Sequence, residues 1–232
     1  MPITAILFDL DGTLTDPKPG ITRSIQYALS ELGYPSPAVD ELLWCIGPPL
    51  QQSFATLLDT SDKVLINRAV TLYRDRYATI GLFENALYPQ ILETLETIRA
   101  AGYQTLIATS KPHVYALRIV EHFKLATLFD GVYGSELDGT RSEKDTLIAY
   151  ILKTEQLAPE NTVMTGDRQH DMIGAKRNQM GAIGITYGYG TVEELIRHGA
   201  DGLAHSPAEI PKALLECDRF SMTSGSPLLN TN

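Results

Sequence analysis

The chain has 232 residues, of which 44% are hydrophobic and 20% are charged, and its formal net charge at pH 7 is −9. This length suits one large domain or one domain with an insertion, because single domains average ~150 residues. The acidic balance and the lack of any basic run argue against a nucleic-acid partner. No apolar stretch reaches the ~18 residues of a membrane span, so we expect no membrane association.

The two cysteines, Cys45 and Cys217, stand far apart in the sequence with neither metal-ligand nor redox spacing. Free thiols of this kind are typical of a reducing compartment. No basic or signal-like apolar segment precedes the first predicted strand. We therefore expect a cytoplasmic protein, present as a monomer or a homodimer.

The first predicted element is a buried parallel strand over residues 3–8, because Thr4 is the only polar residue of that run. Helical periodicity then dominates residues 20–80. Within that part, helices are predicted at 21–32, 38–45, 50–58 and 62–77. No strand pattern interrupts them, and we interpret this part as a helical lid over the site.

From Pro89 onward, helices and strands alternate as they do in a parallel sheet with crossover helices. Strands are predicted at 105–109, 131–134, 162–165, 182–186 and 201–205, and helices at 89–102, 113–123, 143–156, 170–179, 191–198 and 207–217. The order predicts an α/β protein with a Rossmann-like, doubly wound parallel sheet and an inserted all-helical cap. The expected divisions are a core at 1–15 and 85–220, a cap at 16–84 and a flexible tail at 221–232.

The first strand ends in Asp9 and Asp11, followed by Gly12, which permits a sharp turn. Open α/β sheets place their ligand crevices at the carboxyl ends of strands, and paired carboxylates suit Mg²⁺. A calcium hand-loop would need glycine and glutamate where this chain has Leu14 and Gly20, so that interpretation fails. The remaining alternative is an acidic turn with solvated side chains.

Two further polar positions adjoin predicted helix starts. Ser110, with Thr109 and Lys111 beside it, follows an apolar strand, where a hydroxyl and backbone donors can bind an anion. Taken alone, Ser110 also fits an ordinary helix N-cap. Lys144 starts a helix, a position that disfavours cations, so we expect it to pair with a carboxylate cluster or a phosphate. A solvated surface lysine is the alternative.

A second pair of aspartates follows another predicted strand. Asp167 lies at the strand end, and Asp171 follows four residues later, within reach in the first helical turn. With Asp9 and Asp11 they would place four carboxylates at one sheet edge, where they repel one another. A divalent metal and Lys144 would remove this repulsion. A capped helix start would explain only one of the two aspartates.

Together the four motifs resemble the signature of the haloacid dehalogenase-like (HAD) superfamily, which is Asp-x-Asp-Gly-Thr, a Ser/Thr strand end, a Lys, and Gly-Asp-x₃-Asp. The likeness covers about residues 1–215, and the helical insertion is similar to the C1 cap of that superfamily. The stretches 108–112, 134–139 and 186–190 look most like its phosphoglycolate phosphatase and 5'-nucleotidase-like branch. The resemblance implies a Mg²⁺-dependent phosphatase for a small phosphomonoester, acting through an aspartyl-phosphate.

The resemblance also implies a role for each motif residue. Asp9 would be the nucleophile, Asp11 the general acid/base, Ser110 a ligand of the phosphoryl group, and Lys144 a ligand of that group and of the nucleophile. The implied Mg²⁺ ligands are Asp9, the carbonyl oxygen of Asp11, Asp167 and, in support, Asp171. Because haloacid-specific relatives lack the second acid of the first motif, its presence here favours phosphoryl chemistry.

Leaving-group contacts are expected from the lid, in the turn at 44–50. The candidate substrate-binding residues are Gly47 and Pro48 in that turn, together with Thr109, Ser110, Lys111 and Lys144. Lys18 and Lys111 could supply charge at the rim, although solvated lysines are the plainer expectation. Two other functions stay open: a phosphomutase or phosphotransferase that hands the phosphoryl group to another hydroxyl, and an inactive relative that only binds.

Overall fold

A computed structural model describes residues 2–223 of the chain. In chain order its strands are β1 (Ala5–Phe8), β2 (Thr15–Asp16), β3 (Ala86–Leu87), β4 (Gln104–Pro112), β5 (Gly131–Ser135), β6 (Thr162–Gly166), β7 (Gly181–Ile185) and β8 (Gly202–Ala204). Six of them form a parallel sheet in the order β5-β4-β1-β6-β7-β8. The short strands β2 and β3 pair antiparallel in a separate ribbon.

The helices are α1 (Lys18–Glu31), α2 (Leu50–Leu57), α3 (Lys63–Tyr77), α4 (Ile91–Ala100), α5 (His113–His122), α6 (Lys144–Thr154), α7 (Gln169–Arg177), α8 (Val192–Arg197) and α9 (Ile210–Thr223). Short 3₁₀ helices lie at Val39–Cys45, Gly81–Phe83, Ala126–Leu128, Pro159–Asn161 and Pro207–Glu209. Helix α9 continues to Thr223, into the segment predicted as a tail, and the rest of that segment (224–232) lies outside the described residues. None of the described helices combines the length and apolar character that a bilayer crossing needs.

The central strand β1 is apolar throughout because the sheet is covered on both faces. Successive strand residues point to opposite sides. Ile6 and Phe8 belong to one buried cluster, together with Ile107 of β4, whereas Leu7 belongs to the cluster on the other face, together with Met164 of β6. Burial on both faces explains why the sequence shows a continuous apolar run here and not an alternating pattern. The predicted doubly wound α/β fold is confirmed.

Strand order decides which strand ends meet. In the register of the sheet, Phe8 of β1 pairs with Ile107 of β4 on one side and with Thr165 of β6 on the other. The backbone N–H of Asp9 continues this pairing by donating to the carbonyl oxygen of Thr165 at 2.9 Å. Because all three strands run parallel, their carboxyl ends lie side by side, and the residues that follow them share one edge of the sheet.

The insertion between β2 and β3 is helical, as the sequence predicted, and the predicted helix at 38–45 is a 3₁₀ helix. Helix α3 begins where the Asp62 carboxylate accepts a hydrogen bond from the backbone N–H of Val64 at 2.9 Å, an ordinary N-cap. Inside the insertion, Phe54 and Tyr73 pack edge to face with ring centroids 6.3 Å apart. The chain enters and leaves the insertion through the β2–β3 ribbon, which places it beside the end of β1.

Candidate active site

Three aspartates, two that follow the central strands β1 and β6 and one in the helix after β6, meet at the carboxyl edge of the sheet. Asp9 follows β1, Asp167 follows β6, and Asp171 lies in the first turn of α7. One carboxylate oxygen of each lies within 4.8 Å of the others, and the three residues are 7%, 0% and 1% exposed. The structure thus brings the first and fourth sequence motifs into one buried cluster.

Two glycines leave room for this cluster. Gly12 has a φ of +83°, and a Cβ at this position would overlap the carboxylate of Asp167. A Cβ at Gly166 would overlap the carboxylate of Asp171. The turn after β1 and the end of β6 can therefore approach the acidic side chains only because neither residue has a side chain of its own.

Lys144 supplies the positive charge within the cluster. Its ammonium lies 2.7 Å from Oδ1 of Asp171 and 3.0 Å from Oδ1 of Asp9, and it donates to the carbonyl oxygen of Ala108 at 2.8 Å. Burial disfavours the charged lysine, but the two carboxylates outweigh burial and raise its pKa. The unfavourable position of a lysine at the start of α6 is thus explained by its acidic partners, and the solvated-lysine alternative is wrong.

The cluster carries more negative than positive charge. Burial first, and then the charges of Asp171 and Asp9, raise the pKa of Asp167 well above its ordinary value. Burial also raises the pKa of Asp171 to about 6, although Lys144 acts in the opposite direction. Within the described chain, Oδ1 of Asp167 is buried without a hydrogen-bond partner. A divalent cation fits these residues, because it would bind that oxygen and offset the repulsion among the carboxylates.

Asp11 stands apart from the three clustered carboxylates. Its Oδ2 lies 2.6 Å from the ammonium of Lys111, which also donates to the hydroxyl of Tyr77 at the end of α3. Burial raises the pKa of Asp11, while the charge of Lys111 lowers it. Lys111 is 9% exposed, so the expectation of a solvated lysine is wrong for this residue. Lys18, the other candidate for charge at the rim, has its ammonium 2.7 Å from Oδ1 of Asp40.

Ser110 lies in the irregular end of β4, where the register with β5 shifts. Helix α5 has Pro112 as its N-cap residue and no side-chain cap, so the N-cap interpretation of Ser110 is wrong. The carbonyl oxygen of Ser110 accepts a hydrogen bond from the hydroxyl of Ser135 at 2.8 Å, and the hydroxyl of Thr109 accepts one from the N–H of Lys111 at 3.2 Å. The first bond joins the end of β4 to β5, and the second is local to the end of β4.

A cavity of about 100 Å³ lies between the insertion and the sheet edge, with Asp9 and Asp11 in its wall. Predicted residues that line it are Gly47, Pro48, Thr109, Ser110 and Lys111. Lining residues that the sequence did not single out for the site are Tyr73, Arg74, Tyr77 and Tyr115. Little in the sequence indicated that Tyr73 and Tyr77 belong to the site, because buried tyrosines on the apolar face of a helix usually belong to the interior.

The loop at 187–190 encloses Asp167 from the side of β7. The backbone N–H of Tyr189 donates to Oδ2 of Asp167 at 2.7 Å, and the hydroxyl of Tyr187 donates to the carbonyl oxygen of Thr13 at 2.9 Å. A Cβ at Gly188 would overlap Asp167, and one at Gly190 would overlap its carbonyl oxygen. In the sequence this stretch had contributed only to the family resemblance.

Residues 6–185 match the family described as haloacid dehalogenase-like hydrolase, and the chain belongs to that family. The predicted superfamily and the assignment as an enzyme are confirmed. The fold described above is therefore that of a hydrolase of this family.

Several individual proteins of known name or structure are similar to this chain over most of its length. A 5'-nucleotidase of Pseudomonas aeruginosa is 48% identical over 83% of this chain and 87% of that protein. The tyrosine-protein kinase PtkA of Mycobacterium tuberculosis is 33% identical over 87% of this chain and 68% of that protein. A phosphoglycolate phosphatase of Vibrio parahaemolyticus is 30% identical over 90% and 94%, respectively. The crystal structure of a "predicted phosphatase" from Clostridium acetobutylicum matches with a TM-score of 0.89 at 39% identity, covering 93% of this chain and 100% of that one.

Proposed function

We propose that the protein is a Mg²⁺-dependent phosphatase for small phosphomonoesters of the phosphoglycolate or nucleoside monophosphate type. The observation that carries the proposal is the buried cluster of Asp9, Asp167 and Asp171 around Lys144, beside a cavity whose wall includes Asp9 and Asp11. The names of the phosphatase and nucleotidase relatives support the same class of reaction.

Asp9 is the proposed nucleophile. Its Oδ1 accepts a hydrogen bond from the N–H of Leu10 at 2.8 Å and lies 3.0 Å from Lys144, so Oδ2 is the oxygen proposed to attack. Attack in line on phosphorus forms an Asp9–phosphate bond and breaks the bond to the leaving oxygen. Water then attacks the aspartyl-phosphate, which releases inorganic phosphate and restores the Asp9 carboxylate.

The phosphoryl group would be bound by Ser110 at the end of β4 and by Lys144 at the start of α6. The hydroxyl of Ser110 would donate a hydrogen bond to an equatorial oxygen, and the ammonium of Lys144 would offset the negative charge on these oxygens. Mg²⁺, held by Asp9, Asp167, the carbonyl oxygen of Asp11 and in support Asp171, would supply positive charge that screens the dianion from these carboxylates. Lys144 has a second task, since its bond to Asp9 fixes the orientation of the nucleophile.

Asp11 is the proposed general acid and base. In the first step it gives its proton to the leaving alkoxide, and in the second it removes a proton from the attacking water. Burial, which raises its pKa, favours the protonated form that the first step requires. Lys111 favours the ionised form that the second step requires. These two opposing effects suit a residue that must work in both states.

The decisive experiment is turnover of p-nitrophenyl phosphate by the full chain with and without Mg²⁺. We expect Asp9→Asn to abolish activity, and EDTA to abolish it reversibly. Asp75→Asn, an exposed aspartate on α3, is the matched control and should keep wild-type rates. Activity retained in Asp9→Asn would refute the proposal. A panel with 2-phosphoglycolate and nucleoside monophosphates would then identify the leaving group.

A phosphotransferase is the second candidate, and the similarity to PtkA is the observation that favours it. In that case the phosphoryl group of Asp9 passes to a hydroxyl of another molecule instead of water. Product analysis separates the two functions, because inorganic phosphate as the main product excludes the transferase.

We also propose a cytoplasmic location for the protein, on the basis of the cysteine spacing in the sequence.

A further inference from the structure

Arg168 connects the acidic cluster with the insertion. It follows Asp167 directly and precedes α7. Its Nη1 donates to the carbonyl oxygen of Ile46 at 2.5 Å, although the two residues are 122 positions apart. Ile46 is the C-cap residue of the 3₁₀ helix Val39–Cys45 and begins the segment 46–49, which leads into α2 and which we call the cap loop. One side chain therefore reaches from the fourth motif to the lid.

The guanidinium of Arg168 is held in one orientation from the core side. Its Nε lies 3.0 Å from Oε1 of Glu194 in α8, and the same oxygen accepts from the N–H of Gln169 at 2.7 Å. The backbone N–H of Glu194 is itself bonded to the hydroxyl of Thr191 at 3.1 Å. Arg168 is thus pre-oriented toward the cap loop by a residue of the core, so little entropy is lost when it binds the loop.

On the cap side, Gly47 leaves space for the side chain of Arg168. Gly47 has a φ of +107°, and a Cβ there would lie 3.2 Å from Cγ and 3.3 Å from Nη1 of Arg168. Residues 47–49 of the cap loop line the cavity above the site, as do Leu50 and Gln51 at the start of α2. The Arg168–Ile46 bond therefore fixes the wall that the leaving group would contact.

On the core side, the backbone of Arg168 is bound to the acidic cluster. Its N–H donates to Oδ2 of Asp171 at 3.1 Å, and Asp167 precedes it in the chain. Without a cation, the carboxylates of this segment repel one another, and Oδ1 of Asp167 has no hydrogen-bond partner in the described residues. A cation that binds Asp167 and Asp171 would order the segment from which the Arg168 side chain projects.

We propose that Arg168 is a positioning residue that couples divalent-cation binding to closure of the cap loop. The inference rests on the proposed cation site and goes beyond it, because it assigns the loop a state that depends on the cation. A coupling of this kind is reciprocal, so loss of the Arg168 contact also weakens cation binding to a limited extent.

The only tryptophan of the chain, Trp44, lies two residues before Ile46 and is 42% exposed, so its fluorescence reports on the cap loop. In the wild-type chain, we expect Mg²⁺ to shield Trp44 from acrylamide quenching and to slow hydrogen exchange over 44–52. Calorimetry on the same samples measures Mg²⁺ binding independently of turnover. No substrate is needed for any of these measurements.

Arg168→Met is the test variant. We expect it to lose the Mg²⁺-dependent shielding while its Mg²⁺ affinity falls by no more than about fivefold, the lower end of usual coupling. Arg168→Lys should restore part of the response. Arg177→Met, at the far end of the helix that Arg168 precedes and paired with Asp145 at 2.7 Å, is the control and should respond like the wild type. Should Arg168→Met fold poorly, Gly47→Ala can replace it, because the added Cβ would disturb the same Arg168 contact from the cap side.

Three results would overturn the inference. They are a wild-type chain that binds Mg²⁺ with no response at Trp44, an Arg168→Met variant with the full response, and an Arg168→Met variant that no longer binds Mg²⁺. The last would place Arg168 in the cation site itself. Failure of the wild-type chain to bind Mg²⁺ at all would instead refute the proposed function on which this coupling depends.

Discussion

The ammonium of Lys111 in β4 lies 2.6 Å from Oδ2 of Asp11 and also donates to the hydroxyl of Tyr77 in α3. The buried ammonium of Lys111 therefore connects the sheet edge with the lid. Because Tyr77 stacks on Tyr73 with centroids 5.2 Å apart, the position of Lys111 is tied to the packing of the lid. A small rearrangement of α3 would change the surroundings of the proposed acid/base.

Lys111→Met should impair the step in which Asp11 must be ionised. Burial raises the pKa of Asp11 and Lys111 opposes that rise, so removing the ammonium moves the pKa further upward. We expect the acidic limb of the kcat profile to shift to higher pH, with about a tenfold loss near neutrality for a lost charge-assisted bond. Lys153→Met, an exposed lysine of α6, is the control. An unshifted profile would show that Lys111 does not act through Asp11.

Stabilisation by Mg²⁺ should increase with pH. Burial raises the folded-state pKa of Asp171 to about 6, above its ordinary value. Between those two values the folded state binds more protons than the unfolded one, so the stability of the cation-free protein falls as pH rises through this window. Mg²⁺ binds the ionised carboxylate of Asp171, and at pH values below the pKa of that group it must compete with protons. Differential scanning calorimetry should show a larger Mg²⁺-induced rise in Tm at about pH 7.5 than at about pH 5. An equal rise at both would contradict the assignment.

Gly12→Ala and Gly33→Ala form a matched pair. Both glycines have positive φ, +83° and +76°, so each alanine should cost about 1–2 kcal/mol of backbone strain. At Gly33 no atom lies within 4 Å of the added Cβ, whereas at Gly12 the Cβ would overlap the carboxylate of Asp167. We expect only Gly12→Ala to lose Mg²⁺ binding by calorimetry. Normal binding by Gly12→Ala would mean that Asp167 is not a ligand.

Arg74 should select the leaving group. Each acidic residue that lines the cavity has a cationic partner: Asp9 with Lys144, Asp11 with Lys111, and Glu136 with Arg141. The side chain of Arg74 donates to the carbonyl oxygen of Leu137 at 2.8 Å, and its buried Nε has no hydrogen-bond partner among the described residues. An anionic group on the leaving alcohol would satisfy that donor.

We therefore expect Arg74→Met to lower kcat/KM for 2-phosphoglycolate by about tenfold, the value of one charge-assisted hydrogen bond. Ethyl phosphate, which has the same carbon count and no carboxylate, should be affected little. Arg68→Met, on the exposed face of the same helix, is the control. Equal losses with both substrates would show that Arg74 supports the lid and does not recognise the leaving group.

Much of this protein could be predicted from the sequence because its signals are local. A continuous apolar run predicts a strand buried on both faces, and the aspartates after such runs must lie at a sheet edge. The unfavourable position of Lys144 at a helix start likewise indicated a carboxylate cluster or a phosphate as its partner. These inferences need only short stretches of chain and the knowledge that parallel strands align their ends.

Tertiary structure alone decided how the lid meets the core. The partners of Lys111, Arg74 and Arg168 lie between 34 and 122 positions away, at Tyr77, Leu137 and Ile46. From the sequence alone, a lysine or arginine is predicted to be exposed to solvent, because no neighbouring residue shows which surface will cover it. Burial and pairing of a long side chain depend on the packing of two separate layers, and that packing is set by contacts distributed over the whole chain.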